Sequence, residues 1–227
     1  MSLLAQDLEK YRKELEVLQK QRQLQKTSPT PTEWVNPFTE FEIVNEVAQR
    51  ALSAVKEWAY AAARGEPRGL VVYSATTGNG KTRLAQCAMK FLNAITFANG
   101  RLGHCNFLNA NELFQQLYDS FDGRAAPDLM RISTYAAHPL VLDDLGSEYY
   151  RTEEWAQSIF YRLLDAFYER QALLVTSNLD PDEISRKIGP KCQSRLFGMV
   201  GPKGYICMNG IPDYRFKKAM QANCRTN

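Results

Sequence analysis

Apolar residues follow three kinds of pattern along the chain. At the start, Leu4, Leu8, Tyr11, Leu15 and Leu18 recur at alternating steps of four and three, with Glu, Lys, Arg and Gln between them. That spacing is the a/d seam of a coiled-coil helix. Residues 1–26 are therefore expected to form a helical arm that binds a partner; the alternative is an amphipathic helix lying on its own domain. Next, Thr27 to Pro37 reads TSPTPTEWVNP, rich in proline and hydroxyl side chains. Proline pins φ and removes backbone donors, so 27–37 is expected to be a linker, with the main domain occupying 38–227.

Within 38–227, helical periods alternate with short continuous apolar runs. Phe41, Val44, Val47, Ala48, Ala51, Leu52, Val55 and Trp58 share one helical face, which Gly65, Pro67 and Gly69 bring to an end. Leu70–Tyr73 then reads as a buried strand, followed by a Gly-rich turn and a helix from Arg83 to Phe97. A strand around Cys105–Leu108 precedes a helix begun by Asn109 or Asn111. After a less regular stretch (122–138) come the strand Leu140–Leu142, a helix from Glu153 to Arg170 and the strand Leu173–Thr176. Strands that are apolar throughout, separated by helices, predict an α/β fold with a parallel sheet covered on both faces.

Composition sharpens this only in part. The chain has 227 residues, 44% of them hydrophobic and 23% charged, which excludes wholesale disorder. The formal charge of +3 is too small to argue nucleic-acid binding by itself. No apolar run reaches the roughly 18 residues of a membrane span, and the N-terminus is too polar for a signal peptide. Five dispersed cysteines with no CxxC pair point to reduced thiols and a cytoplasmic protein.

The chemistry lies at the strand ends. Ala75-Thr76-Thr77-Gly78-Asn79-Gly80-Lys81-Thr82 follows one predicted strand and opens a helix, the context a phosphate-binding loop needs. Glycines let backbone N–H groups turn inward around phosphate oxygens, and the helix N-terminus adds a positive field. Lys81 would reach the β- and γ-phosphates of ATP, and the Thr82 hydroxyl would ligate Mg²⁺. Ala75 replaces the usual first glycine at a position that leads into the loop without touching phosphate. Further on, Pro139 to Gly146 reads PLVLDDLG, an apolar strand ending in two carboxylates. Asp143 would hold the metal and Asp144 would orient or deprotonate the attacking water; the plainer alternative is two solvated acids closing a strand. The run LLVTSN ends in Asn178, placed to position that water or contact the γ-phosphate, although TSN is also ordinary turn chemistry.

Taken with the later CQSRLFG and DYR, these motifs resemble the AAA+ ATPases of the DnaC/DnaI helicase-loader and IstB groups over about Phe38 to Ala219. The resemblance implies a P-loop NTPase domain with a reduced lid. It places Lys81 and Thr82 on the Walker A residues, Asp143 and Asp144 on Walker B, and Asn178 on sensor I. It also places Arg195 on the arginine finger that serves ATP on a neighbouring subunit, and Arg215 on sensor II. An ordinary surface arginine is the competing reading of Arg195. Guanidinium suits both roles, being always charged and able to meet phosphate bidentately.

By the same likeness, the partners are a replicative hexameric helicase gripped by the N-terminal helix, single-stranded DNA, and further copies of the chain in a ring or spiral. An IstB-like transposition helper, acting on duplex DNA with a transposase, is the rival, and a nucleotide-binding adaptor with little turnover a third reading. DNA contact is expected between Asn109 and Ser133, where Tyr118, Phe121, Arg124 and Arg131 offer aromatic faces and cations. Leu113, Phe114, Leu117 and Phe121 also read as one packed helix face. His104 and His138 have no evident partners, and Cys87, Cys105 and Cys207 read as small core residues.

Overall fold

The computed structural model describes residues 36–95, 104–121, 135–149 and 152–214. The arm, the linker as far as residue 35, Arg124, Arg131 and Arg215 lie outside the described residues, as do the side chains of Tyr118 and Phe121.

Among the described residues five strands, β1 (Gly69–Tyr73), β2 (Asn106–Asn109), β3 (Leu140–Leu145), β4 (Leu173–Ser177) and β5 (Tyr205–Cys207), form one sheet in the order β2-β3-β4-β1-β5. Every neighbouring pair is parallel. The helices are α1 (Glu46–Ala63), α2 (Lys81–Ala94), α3 (Ala110–Phe121), α4 (Glu153–Phe167), α5 (Pro181–Ile188) and α6 (Pro190–Val200). Side chains of a strand alternate between its faces. Accordingly Leu70, Val72, Val141 and Leu174 join a core with α1 and α2, whereas Val71, Leu140, Leu142, Leu173 and Val175 join one with α3 to α6. Burial on both faces is why these strands read as unbroken apolar runs.

The boundaries depart from the sequence reading at informative places. Asn36 and Pro37, assigned to the linker, already belong to the folded part. The Asn36 side chain accepts from the Phe38 N–H at the start of a short 3-10 turn (Pro37–Glu40), and Phe38 is buried against Phe91. Phe41 and Val44 precede α1 instead of lying in it, because the Asn45 side chain caps that helix by accepting from the Ala48 N–H. Helix α2 starts at Lys81, two residues earlier than expected, from a left-handed Gly80. Asn109 supplies the cap of α3, its side chain accepting from the Asn111 and Glu112 N–H groups. Helix α4 ends at Phe167 because Tyr168 leaves helical geometry and Glu169 turns left-handed at φ 55°.

Two minor expectations are overturned. Cys207 is exposed, because β5 is a three-residue edge strand with no neighbour beyond it among the described residues. Cys87, Cys105 and Cys192 are buried, and burial pushes the Cys105 thiol up to about 12 and that of Cys192 to about 11. His104 and His138 are partners of each other: their rings meet edge to face with centroids 4.7 Å apart, brought together by the adjacent starts of β2 and β3.

Candidate nucleotide site

Because all five strands run the same way, the segments that leave their C-terminal ends share one edge of the sheet, the usual place for a ligand in open α/β folds. The sheet order adds the decisive neighbours. The loop after β1 carries Lys81, β3 carries Asp143 and Asp144, and β4, which leads to Asn178, runs between them.

The loop is built mostly from main chain. Gly78 and Gly80 have φ of 71° and 93°, values that side chains with a Cβ rarely adopt. Gly80 caps α2 with no side-chain hydrogen bond, which leaves the first-turn N–H groups of that helix without an intrahelical partner. Such a terminus attracts anions. The loop is braced from outside: the Asn209 side chain accepts from the Ser74 hydroxyl (2.8 Å) and the Ala75 N–H (3.0 Å). Buried Asn79 donates to the Met208 carbonyl at 3.2 Å and to the Thr76 hydroxyl. Ala75, Thr76 and Thr77 are exposed, so the methyl group of Ala75 meets no obstacle. Lys81 is 8% exposed and donates to the Thr76 carbonyl (2.9 Å), the Ser74 carbonyl (3.3 Å) and Asn79 Oδ1 (3.2 Å). Burial lowers its pKa, against the attraction of Asp144 and Asp143.

Opposite the loop, the side chains at the ends of β3 and β4 form a chain of hydrogen bonds. The Thr82 hydroxyl lies 3.1 Å from each oxygen of the Asp143 carboxylate. The Thr176 hydroxyl donates to Asp143 Oδ1 at 2.6 Å and accepts from the Asp144 N–H at 2.9 Å. Asn178 Nδ2 donates to Asp144 Oδ1 at 2.8 Å. Burial raises the pKa of Asp143, while hydrogen bonds from Thr176 and Thr82 pull it down. Thr176 reads in the sequence only as the end of a strand and Asn209 carries no motif, and only tertiary contact gives them a part.

Thr82 and Asp143 are hard oxygen donors facing each other, and Asp143 is a buried carboxylate that a cation would neutralise. Among the described residues no group of three or more His, Cys, Asp or Glu side chains could enclose a metal. One carboxylate and one hydroxyl, with the remaining positions left to phosphate and water, is the donor set Mg²⁺ accepts. The residues present fit both ATP and Mg²⁺.

Arg195 stands apart. It lies on α6, where Nε and Nη2 meet Asp165 Oδ1 at 3.1 and 2.7 Å and the guanidinium covers the Tyr161 ring at 4.3 Å. The segment leading to Arg215 crosses the phosphate loop: the Tyr214 N–H donates to the Gly78 carbonyl at 3.0 Å and its hydroxyl to the Glu42 carbonyl at 2.7 Å.

The profile of the IstB-like ATP binding proteins (IstB_IS21) matches residues 4–192. The chain belongs to this family. The match stops three residues short of Arg195. No curated protein sequence matches the chain. Among solved structures, the DnaC helicase loader superposes with a TM-score of 0.58 at 21% identity, over 77% of this chain and 97% of that one. DnaI superposes at 0.59 and 16% identity, over 78% of this chain and 88% of the other. AMPPCP-bound DnaA from Aquifex aeolicus superposes at 0.57 and 20% identity, over 84% of this chain but 56% of its own. These likenesses show the fold: the parallel α/β sheet with flanking helices is shared with DnaC, DnaI and DnaA. No helix among the described residues is long and apolar enough to cross a membrane.

Proposed function

We propose that this IstB-family protein is a Mg²⁺-dependent AAA+ ATPase that loads a replicative hexameric helicase onto single-stranded DNA. The observation that carries the ATPase reading is the hydrogen-bonded run Thr82–Asp143–Thr176–Asp144–Asn178 facing an uncapped helix N-terminus and Lys81. Lys81 and the loop N–H groups bind the β- and γ-phosphates, and Thr82 and Asp143 hold the metal. Bound Mg²⁺ supplies charge neutralisation at the phosphates. Asp144 accepts a proton from, or orients, the attacking water; Asn178, already hydrogen-bonded to Asp144, fixes the direction from which it does so. Arg195 acts on the γ-phosphate of a neighbouring subunit, exchanging Asp165 for phosphate oxygens, and Arg215 contacts nucleotide in its own subunit. Hydrolysis then requires assembly, which suits a release step after loading.

The loader reading is supported by the likeness to structures of DnaC and DnaI over most of their lengths. It assigns the 1–26 arm to the helicase, and Tyr118, Phe121, Arg124 and Arg131 to DNA. The family match favours a second reading, a transposition helper acting on duplex DNA with a transposase. Binding to single-stranded and duplex DNA, compared at one stated salt concentration because phosphate contacts are salt-dependent, separates the two. A loader prefers the single strand, and its chain lacking residues 1–26 loses the helicase in a pull-down while still binding ATP. Duplex preference, or helicase retained by the truncated chain, overturns the loader reading. Absence of turnover by the wild type with DNA and partner present points to an adaptor.

A further inference from the structure

The ends of β3 and β4 hold an irregularity. Leu142 pairs with Val175 and Leu145 with Ser177, so β3 spends three steps where β4 spends two. One extra residue makes this a β-bulge, and Asp143 and Asp144 together oppose Thr176. Asp144 has φ 59°, the left-handed region that non-glycine residues seldom occupy. Such a conformation persists only where the surroundings hold it.

The Asp144 carbonyl accepts from the Ser147 hydroxyl at 2.8 Å and from the Ser147 N–H at 3.2 Å, and the Ser177 hydroxyl donates to the Leu145 carbonyl, but one hydroxyl reaches both aspartates. Thr176 is 1% exposed, and a valine there would fill the same space and suit a buried strand equally well. Its hydroxyl is nevertheless used twice, as donor to the Asp143 carboxylate and as acceptor from the Asp144 N–H. The 2.6 Å contact is a short, charge-assisted bond. Thr82, the other partner of Asp143, is exposed and stands on the side where nucleotide would lie, whereas Thr176 supports the carboxylate from inside the sheet. We propose that Thr176 is a positioning residue that fixes, through one hydroxyl, both the carboxylate that holds the cation and the strained backbone that aims Asp144. This rests on the reading of the site as a Mg²⁺–ATP site.

Full-length Thr176→Val and Thr176→Ser proteins test it. ATP binding in EDTA reports the intact loop and fold, and should stay at the wild-type value in both. The Mg²⁺ concentration that half-maximally shifts ATP binding should rise about tenfold in Thr176→Val, the usual cost of removing an outer-shell partner of a metal ligand. With single-stranded DNA present, kcat should fall by a similar factor while KM at saturating Mg²⁺ changes little. Thr176→Ser, which keeps the hydroxyl and drops the methyl, should restore both. Wild-type Mg²⁺ dependence and kcat in Thr176→Val overturn the proposal. So does a Thr176→Ser protein as impaired as the valine variant, because packing would then be the cause. If the valine protein does not fold, Thr176→Ala, which also lacks the hydroxyl, takes its place, and an unshifted Mg²⁺ requirement there is equally fatal. A wild-type chain that binds no ATP overturns the nucleotide reading itself; a normal wild type beside an unaltered variant overturns the role of Thr176 alone.

Discussion

The loop after β1 and the ends of β3 and β4 meet at one edge of the sheet but are made of different material. The loop presents main-chain N–H groups, so its demands are conformational: left-handed glycines at 78 and 80 and a helix that starts without a side-chain cap. The strand ends present carboxylates, hydroxyls and an amide drawn from positions more than thirty residues apart in sequence. A main-chain site is local, and damage to it should appear in nucleotide affinity. A side-chain site depends on strand neighbours, and damage there should appear in hydrolysis with affinity spared.

Substitutions can break that division or sharpen it. The largest effect is expected outside both regions. If Arg195 acts in trans as proposed, Arg195→Ala should lower DNA-stimulated turnover roughly 10³–10⁵-fold, the worth of an arginine finger, while ATP binding to the separate chain is unchanged. Mixing it with a Lys81→Ala chain should recover part of the activity, since each supplies what the other lacks; no recovery in mixed assemblies refutes action in trans. If Asp144 is the base proposed, Asp144→Ala should cost roughly 10²–10⁴-fold in kcat, the worth of a positioned general base, and should keep wild-type affinity in equilibrium titration. A matching loss of affinity would erase the contrast between the two regions. Lys81→Ala should weaken ATP binding about 100-fold, equivalent to two charge-assisted hydrogen bonds. At the small end, Ser177→Ala removes a hydroxyl that donates to the Leu145 carbonyl at 2.6 Å and accepts from the Leu179 N–H at 3.0 Å. It should cost about 1–2 kcal/mol in denaturant unfolding and leave ATP affinity unaltered, which separates bracing of the bulge from contact with ligand.

The sequence reading reached these two regions unequally. Ala75 to Thr82 is one contiguous run whose glycines, lysine and threonine each have a local reason to be there, so its placement between a strand and a helix could be read directly. Asp143, Asp144 and Asn178 could be placed at strand ends, but nothing in PLVLDDLG or LLVTSN says that Thr176 stands against both aspartates. That relation comes from strand pairing and from an inserted residue that alternation does not foresee. Asn209 was invisible for the same reason: a turn after an edge strand supports the phosphate loop only once β5 lies beside β1. Cys207 went the other way. Its apolar neighbours suggested a core position, but a short edge strand leaves it in solvent.

By itself the sequence determined what local physics controls: which runs are strands buried on both faces, where the helices lie between them, and where a glycine-rich turn can gather N–H groups around an anion. Tertiary structure alone decided the order β2-β3-β4-β1-β5, which sets β4 between the loop strand and the carboxylate strand. It also decided the bulge that turns Asp144 left-handed and the pairing of Arg195 with Asp165. The reason is that backbone conformation is governed by neighbours along the chain, whereas hydrogen bonds between side chains depend on which distant segments the two cores press together.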